Sequence, residues 1–219
     1  MKVEFYKHNV GVQEVRLVNK VLHSLFLTTG SYVDEFEESL ATFLHAKYAV
    51  GLTSCTAALH LACIAAGIKQ GDEVITTPMS FVATSNSIIM AGGIPVFVDV
   101  EEDTGNIDAN LIEKAITRKT CAIMPVHLYG QMVDMKKILA IAKKHKLVVI
   151  EDAAHALEAK RDGLRPGQKT SFACFSFYAT KSIASGEGGA FVSDNEKIAK
   201  LIKKLRSHGI TSELAQRER

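Results

Sequence analysis

Leu147-Val148-Val149-Ile150-Glu151-Asp152-Ala153-Ala154-His155 is the stretch that decides the fold of this chain. An unbroken apolar run meets two carboxylates and then small residues. A strand that is apolar at every position, and not only at every second one, is covered on both faces, as strands inside a parallel sheet are. Its carboxylates then stand at the carboxyl end, where open α/β sheets gather their ligands.

The same strand, turn and helix pattern recurs upstream. Ala49 to Leu52, Val74 to Thr77, Ile94 to Val98 and Cys121 to Val126 read as short apolar strands. Between them, Thr56 to Ala66, Phe81 to Met90 and Leu111 to Ile116 read as helices, and Met135, Ile138, Leu139 and Ala142 mark another. Before the first strand, Val12, Val15, Val18, Leu22 and Leu25 approximate a helical period that Gly30 breaks. Phe36, Leu40, Phe43 and Leu44 mark a second helix, with Asp34 and Glu35 near its positive end. Downstream, Phe172 to Tyr178 and Gly189 to Val192 follow one another without a full helix between them. Ile198 to Leu205 is a last helix, whose basic face of Lys197, Lys200, Lys203 and Lys204 reads as solvated surface. The expected class is α/β, a mostly parallel sheet flanked by helices.

Bulk properties narrow the function. A chain of 219 residues with 47% hydrophobic content buries a substantial core, as one large domain or two small ones. Its 26 basic residues are balanced by 24 acidic ones, so charge gives no general reason for a nucleic-acid partner. Cys55, Cys63, Cys121 and Cys174 match no zinc spacing and read as buried free thiols of a reducing compartment. The first residues carry charges and no apolar block, and the longest apolar runs fall short of a membrane span, so the expected location is cytoplasmic.

The strand ends carry the candidate chemistry. Ser54-Cys55-Thr56 joins a strand to a helix, where free N–H groups favour an anion; an ordinary N-cap uses the same residues. Neither a P-loop nor a GxGxxG fingerprint is present. Asp152, costly to desolvate alone, suits a cation such as a protonated pyridine nitrogen, or else caps Ala153 to Leu157; Glu151 reads as structural. Lys181, between a strand and Gly186-Glu187-Gly188-Gly189, is either a surface lysine or an amine that forms a Schiff base with a carbonyl. Together, Lys181 and Asp152 can hold a pyridine aldehyde from both ends. Phe81 is a core aromatic or a stacking platform for a flat ring, and Ser176 can reach an anion held at Thr56. His127 and His155 follow apolar strands without a third ligand of diagnostic spacing, so no metal is expected.

Beyond these positions, longer motifs carry a resemblance. Gly71-Asp72-Glu73-Val74-Ile75, Pro78-Met79-Ser80-Phe81-Val82-Ala83-Thr84, Pro95-Val96-Phe97-Val98-Asp99, Glu151-Asp152-Ala153-Ala154-His155-Ala156, Phe175-Ser176-Phe177-Tyr178-Ala179-Thr180-Lys181, Gly186-Glu187-Gly188-Gly189-Ala190 and Arg206-Ser207-His208-Gly209 occur in order. In these, over nearly its whole length, the chain resembles the DegT/DnrJ/EryC1/StrS family of nucleotide-sugar aminotransferases. The resemblance implies the large domain of a fold-type I transferase dependent on pyridoxal 5'-phosphate, with a sheet of seven-stranded type. Residues 1–30 would be an N-terminal helical arm, 31–209 the large domain and 210–219 a polar tail.

By the same resemblance, Lys181 would bind the cofactor aldehyde and Asp152 would pair with the pyridine nitrogen. His155 would lie near the phenolic oxygen, Phe81 would stack on the ring, and Thr56, Ser176 and the amides around Cys55 would hold the phosphate beside Ser54. Glycine is usual in the family where Cys55 stands; a side chain there could crowd the phosphate loop, though related members tolerate small residues. A lysine at 181 separates the chain from the dehydratase branch, which has histidine there. The implied reaction takes an amino group from a donor, typically glutamate, to the 4-keto or 3-keto group of a nucleotide-linked sugar. Ser80 to Asn86, Asn106-Ile107-Asp108 and His155 most resemble members acting on UDP-linked 4-keto-6-deoxy amino sugars, such as the aminotransferase of the pseudaminic acid route. Family members run considerably longer and build their sites at a homodimer interface. The chain therefore reads as a truncated or split product lacking the C-terminal small domain, with a separate C-terminal half as a partner to be considered. An inactive interaction subunit and an aldolase or lyase on the same scaffold stay open as alternatives.

Overall fold

A computed structural model describes residues 7–210. Its elements, in chain order, are α1 (Val12–Leu22), α2 (Ser31–Leu44), β1 (Tyr48–Leu52), α3 (Cys55–Ala65), β2 (Glu73–Thr76), α4 (Val82–Met90) and β3 (Ile94–Phe97). There follow α5 (Ala109–Ala115), β4 (Thr120–Ile123), α6 (Met135–His145), β5 (Val148–Asp152), β6 (Phe172–Ser176), β7 (Gly189–Ser193) and α7 (Glu196–Arg206). The polar tail expected at 210–219 falls, after Ile210, outside the described residues, as does the start of the arm.

The strands form one seven-stranded sheet in the order β1-β7-β6-β5-β4-β2-β3. From β3 to β6 every pairing is parallel; β7 runs antiparallel to β6 and to β1. The lack of a helix between β6 and β7 explains that reversal, because an antiparallel pair needs no crossover while a parallel neighbour does. β1 therefore runs in the same sense as β6, and the carboxyl ends of β1, β4, β5 and β6 lie at one end of the sheet together with Gly189, the start of β7.

Both faces are covered, as the continuous apolar runs require. Along β5, β6 and β7 the side chains alternate between two sides. Ile150, Phe172, Cys174 and Phe191 join a core with Ala58, Leu59 and Ala62 of α3 and Ile202 of α7. Ala173, Phe175, Ala190 and Val192 face the other way, onto Leu40, Ala41 and Leu44 of α2. On that second face, toward the far edge, Val149 and Ile123 pack with Ile112 of α5 and Ile138 of α6. Each fully buried Phe or Ile in these cores stabilises the fold by about 1.5–3 kcal/mol relative to exposure.

Three features depart from the sequence expectations. β4 ends at Ile123, short of Val126; Pro125 has no N–H for the ladder, and pairing resumes only at a single Val126–Asp152 bridge. Lys203 is not simply solvated, since its Nζ lies 2.6 Å from Oε2 of the buried Glu37. No residue of α1 is buried among the described residues, so the apolar face formed by Val12, Val15, Val18 and Leu22 is bare. No helix among the described residues is long and apolar enough to cross a membrane.

Candidate functional site

Strand β5 positions the acidic end of the site. Asp152 is its last residue; its N–H donates to the Pro125 carbonyl, and its own carbonyl accepts from the His127 N–H. The strand alternates, so Glu151 and Asp152 point to opposite faces. Asp152 shares the face of Ile150, toward α3, and is 4% exposed. Its Oδ2 accepts from the Thr84 hydroxyl at 2.7 Å and its Oδ1 from the Ala154 N–H at 3.2 Å. An ionised carboxylate has about four acceptor positions, so Asp152 retains capacity for a cationic donor.

Lys181 sits on the loop between β6 and β7, which folds back on its own strands. The Phe177 N–H donates to the Gly188 carbonyl at 2.9 Å and the Ala179 N–H to the Gly186 carbonyl at 3.1 Å, while the Lys181 N–H closes a turn onto the Tyr178 carbonyl at 2.9 Å. Gly186 has a φ of +87°, a conformation that glycine adopts without strain. Lys181 is half-buried. Desolvation holds its amine below the ordinary lysine value, opposed by the negative charge of Asp152, which raises it. Lys181 is thus a half-buried amine whose proton affinity the β5 carboxylate influences.

His155 joins the same group. Its Nδ1 accepts from the Tyr129 N–H at 3.3 Å, and its ring stacks on Tyr129 at 5.5 Å between centroids and 5° between planes. Desolvation first, and then the Lys181 charge, push its pKa down, against the raising effect of Asp152. The neutral ring, with Nδ1 accepting, carries its proton on Nε2 and is a hydrogen-bond donor there.

Strand β7 supports the opposite end of the site. Gly189 pairs with Leu52 of β1 on one side and Ser176 of β6 on the other. A Cβ at Gly189 would overlap the Ser54 carbonyl carbon and the Cys55 nitrogen, so only glycine lets the start of α3 lie against the sheet. Ser54 caps α3, its Oγ accepting from the Ala57 N–H at 3.1 Å, and the N–H groups of Cys55 and Thr56 point out of the helix start without intrahelical acceptors. Ser54 thus fills the ordinary capping role, and the amides beside it form the positive end available to an anion. The Ser176 Oγ accepts from the Tyr178 N–H at 3.3 Å. Cys55 does not crowd this cradle. Its side chain turns into the core with Ala58, Leu59 and Cys174, and burial pushes its thiol well up.

Phe81 is 73% exposed, which displaces its core-aromatic reading. It precedes α4 and its carbonyl accepts from the Thr84 N–H, so one helix start presents both an open aromatic ring and the hydroxyl bound to Asp152. Sequence reasoning gave Thr84 no role, although helical spacing from Phe81 was an available signal for it. Tyr129 falls among the strand-end residues 127–129 and has a φ of +51°, unusual for a tyrosine; its stacking on His155 had no signal in the sequence.

Glu151 and His127 lie on the other face as a buried structural pair, with His127 Nε2 2.8 Å from Glu151 Oε2. Among the described residues no group of three or more His, Cys, Asp and Glu could hold a metal ion. The donor set fits pyridoxal 5'-phosphate instead. It offers a half-buried amine for an aldehyde, a buried carboxylate with spare acceptor capacity, a neutral imidazole N–H, an exposed aromatic face, and a helix start between two serines.

Known proteins resemble this chain in sequence and in fold. The family model described as the DegT/DnrJ/EryC1/StrS aminotransferase family matches residues 9–219. The spore coat polysaccharide biosynthesis protein SpsC of Bacillus subtilis is 46% identical over 202 residues, which are 92% of this chain and 52% of that protein. The UDP-4-amino-4-deoxy-L-arabinose–oxoglutarate aminotransferase of Shewanella sediminis is 41% identical over 209 residues, 95% of this chain and 54% of that protein. The crystal structure of NtdA from Bacillus subtilis with bound cofactor PMP superposes with a TM-score of 0.81 at 36% identity, covering 89% of this chain and 45% of that one. The chain spans about half the length of the curated relatives it matches.

Proposed function

The chain belongs to the DegT/DnrJ/EryC1/StrS aminotransferase family, and from that membership and its site we propose that it is the large-domain portion of an aminotransferase dependent on pyridoxal 5'-phosphate. The enzyme moves an amino group from an amino acid donor, L-glutamate, to a keto group of a nucleotide-linked keto-deoxy sugar, in cell-surface polysaccharide or amino-sugar biosynthesis. The observation that carries this reading is the convergence of Lys181, Asp152 and His155 at the sheet end where α3 also starts. A relative whose name joins a UDP-linked 4-amino sugar to oxoglutarate supports a UDP-linked 4-keto acceptor and a glutamate donor.

When bound, the cofactor supplies a carbonyl carbon and an electron-withdrawing ring that acidifies the C–H bond next to the transferred nitrogen. Lys181 Nζ, favoured in its neutral form by burial, would hold the aldehyde end and would serve as the base for the proton on the donor's α-carbon. Asp152, aligned by Thr84 and the Ala154 N–H, would hold the ring nitrogen and favour its protonated form. The Nε2–H of His155 would donate to the phenolic oxygen, and Phe81 would stack on the ring. Ser54, Thr56, Ser176 and the amides of Cys55 and Thr56 would hold the phosphate.

In this proposal residues 31–209 are the large domain, residues 1–30 its arm, and the protein works in the cytoplasm with neither a nucleic acid nor a membrane as partner. The bare apolar residues of α1 favour a second polypeptide surface over them, a second copy or a separate C-terminal half. They also support a second reading, in which the chain is catalytically silent until that surface is covered. The two are separated by loading the chain with pyridoxal phosphate and adding L-glutamate alone. The proposal expects a stoichiometric amount of 2-oxoglutarate. Bound cofactor without any 2-oxoglutarate would sink it in favour of the silent chain or of a lyase.

A further inference from the structure

Strand β1 is at the edge of the sheet, with β7 on one side. An edge strand leaves N–H and C=O groups unpaired on its outer side. At Gly51 both groups are taken by one ion pair. The Gly51 N–H donates to Glu37 Oε1 at 2.9 Å, and the Gly51 carbonyl accepts from Arg206 Nη1 at 3.0 Å. The same Nη1 donates to the same Oε1 at 2.6 Å, so one peptide residue and two side chains close a ring. Lys203 adds a second cation on Oε2. Glu37 is 4% exposed, on α2, and Arg206 is the last residue of α7.

Burying such a pair is a poor source of stability, because desolvation offsets most of the attraction and an apolar replacement does as well. What the pair does supply is position, since charge-assisted bonds are short and directional. The residues just beyond Gly51 need it. Leu52 pairs with Gly189, and the Ser54–Cys55 peptide lies so close to Gly189 that no Cβ fits between them. A small slip of β1 along its axis would drive that peptide into β7 or lift the start of α3 away from Ser176.

We propose that Glu37 and Arg206 are positioning residues for the phosphate end of the site: they pin β1 at Gly51 and thereby set where the Ser54–Thr56 turn binds an anion. The proposal rests on the functional reading above and adds to it two residues that touch neither cofactor nor substrate. Among the motifs singled out in the sequence, Arg206-Ser207-His208-Gly209 had no place in the chemistry, and this gives its arginine one.

The test compares pyridoxal phosphate with pyridoxal, which carries the same aldehyde and ring but no phosphate. Equilibrium uptake of each is read by absorbance on the full 219-residue chain, with the wild type beside Glu37→Gln and the milder Glu37→Asp. Losing one charge-assisted contact that sets the cradle is expected to weaken pyridoxal phosphate by about tenfold or more, with pyridoxal unchanged within about twofold. Inorganic phosphate should also protect the wild type against pyridoxal phosphate more strongly than it protects either variant. Equal weakening of both compounds in the variants, or no weakening of either, overturns the proposal. A wild type that takes up neither compound fails at an earlier point, because the functional reading then falls and the positioning role with it.

Discussion

Glu151 and Asp152 are neighbours in sequence, both carboxylates and both buried, yet the two faces of β5 use them in opposite ways. Glu151 meets three protein donors, against two for Asp152. Oε1 takes the Gly167 N–H at 2.7 Å and the Thr170 hydroxyl at 2.6 Å, and Oε2 takes His127 at 2.8 Å. Through them it ties the loop before β6 to the turn after β4. Asp152 has one hydroxyl, one N–H and, within electrostatic reach, Lys181 and His155. A buried carboxylate whose two oxygens are both tied to scaffold donors is part of the scaffold. One left with spare acceptor capacity beside a half-buried amine is a place for a ligand's positive charge.

Exchanging one oxygen in each residue probes this difference. Glu151→Gln puts an amide N–H against groups that already donate and leaves His127 without its carboxylate; a loss of about 1–3 kcal/mol in urea unfolding of the cofactor-free chain is expected. Cofactor uptake per folded molecule should survive. Asp152→Asn should do the reverse. The cofactor-free chain should keep its stability within about 1 kcal/mol, while the glutamate half-reaction slows by about 10²–10³-fold, as for other lost electrostatic stabilisers. A variant pair with the two phenotypes exchanged would break the comparison outright.

Smaller changes sharpen it. Thr84→Val removes the hydroxyl from Asp152 Oδ2 while keeping the side chain's shape; a cost of about 1 kcal/mol, divided between folding and cofactor affinity, is expected from paired titrations. The smallest effect is on pH. Lys181 reacts as the free amine and burial lowers its pKa, so the rate of cofactor uptake should rise with a midpoint below 10.5. Asp152 opposes that lowering because its charge favours the ammonium form, so Asp152→Asn should move the midpoint further down. An upward move would mean that Asp152 does not face the amine.

Much of this was legible in the sequence, for physical reasons that can be named. Strands apolar at every position predicted a sheet covered on both faces, and Ile150 and Val149 do lie in different cores. The missing helix between β6 and β7 was visible too, although the place of β7 beside β1 was not, because strand order depends on contacts far apart along the chain. In the site, Ser54, Asp152 and Lys181 stood out as polar residues at strand ends. Thr84 did not, since a threonine one turn into an apolar helix looks neutral until its hydroxyl meets a carboxylate 68 positions away. The Glu37–Arg206 pair spans 169 positions and has no local signature at all. Cys55 is a different case. A side chain in place of the family's glycine left crowding and tolerance both open, and the first residue of α3 points into the core.

The central claim is that Lys181, and no other lysine, is where the cofactor is held. Loading the chain with pyridoxal phosphate, reducing with borohydride and mapping the modified peptide by mass spectrometry tests it directly. The account predicts a single pyridoxyl group on Lys181, absent from Lys181→Ala treated alike. Label spread over exposed lysines such as Lys197 and Lys200, or persisting at the same level in Lys181→Ala, would contradict it.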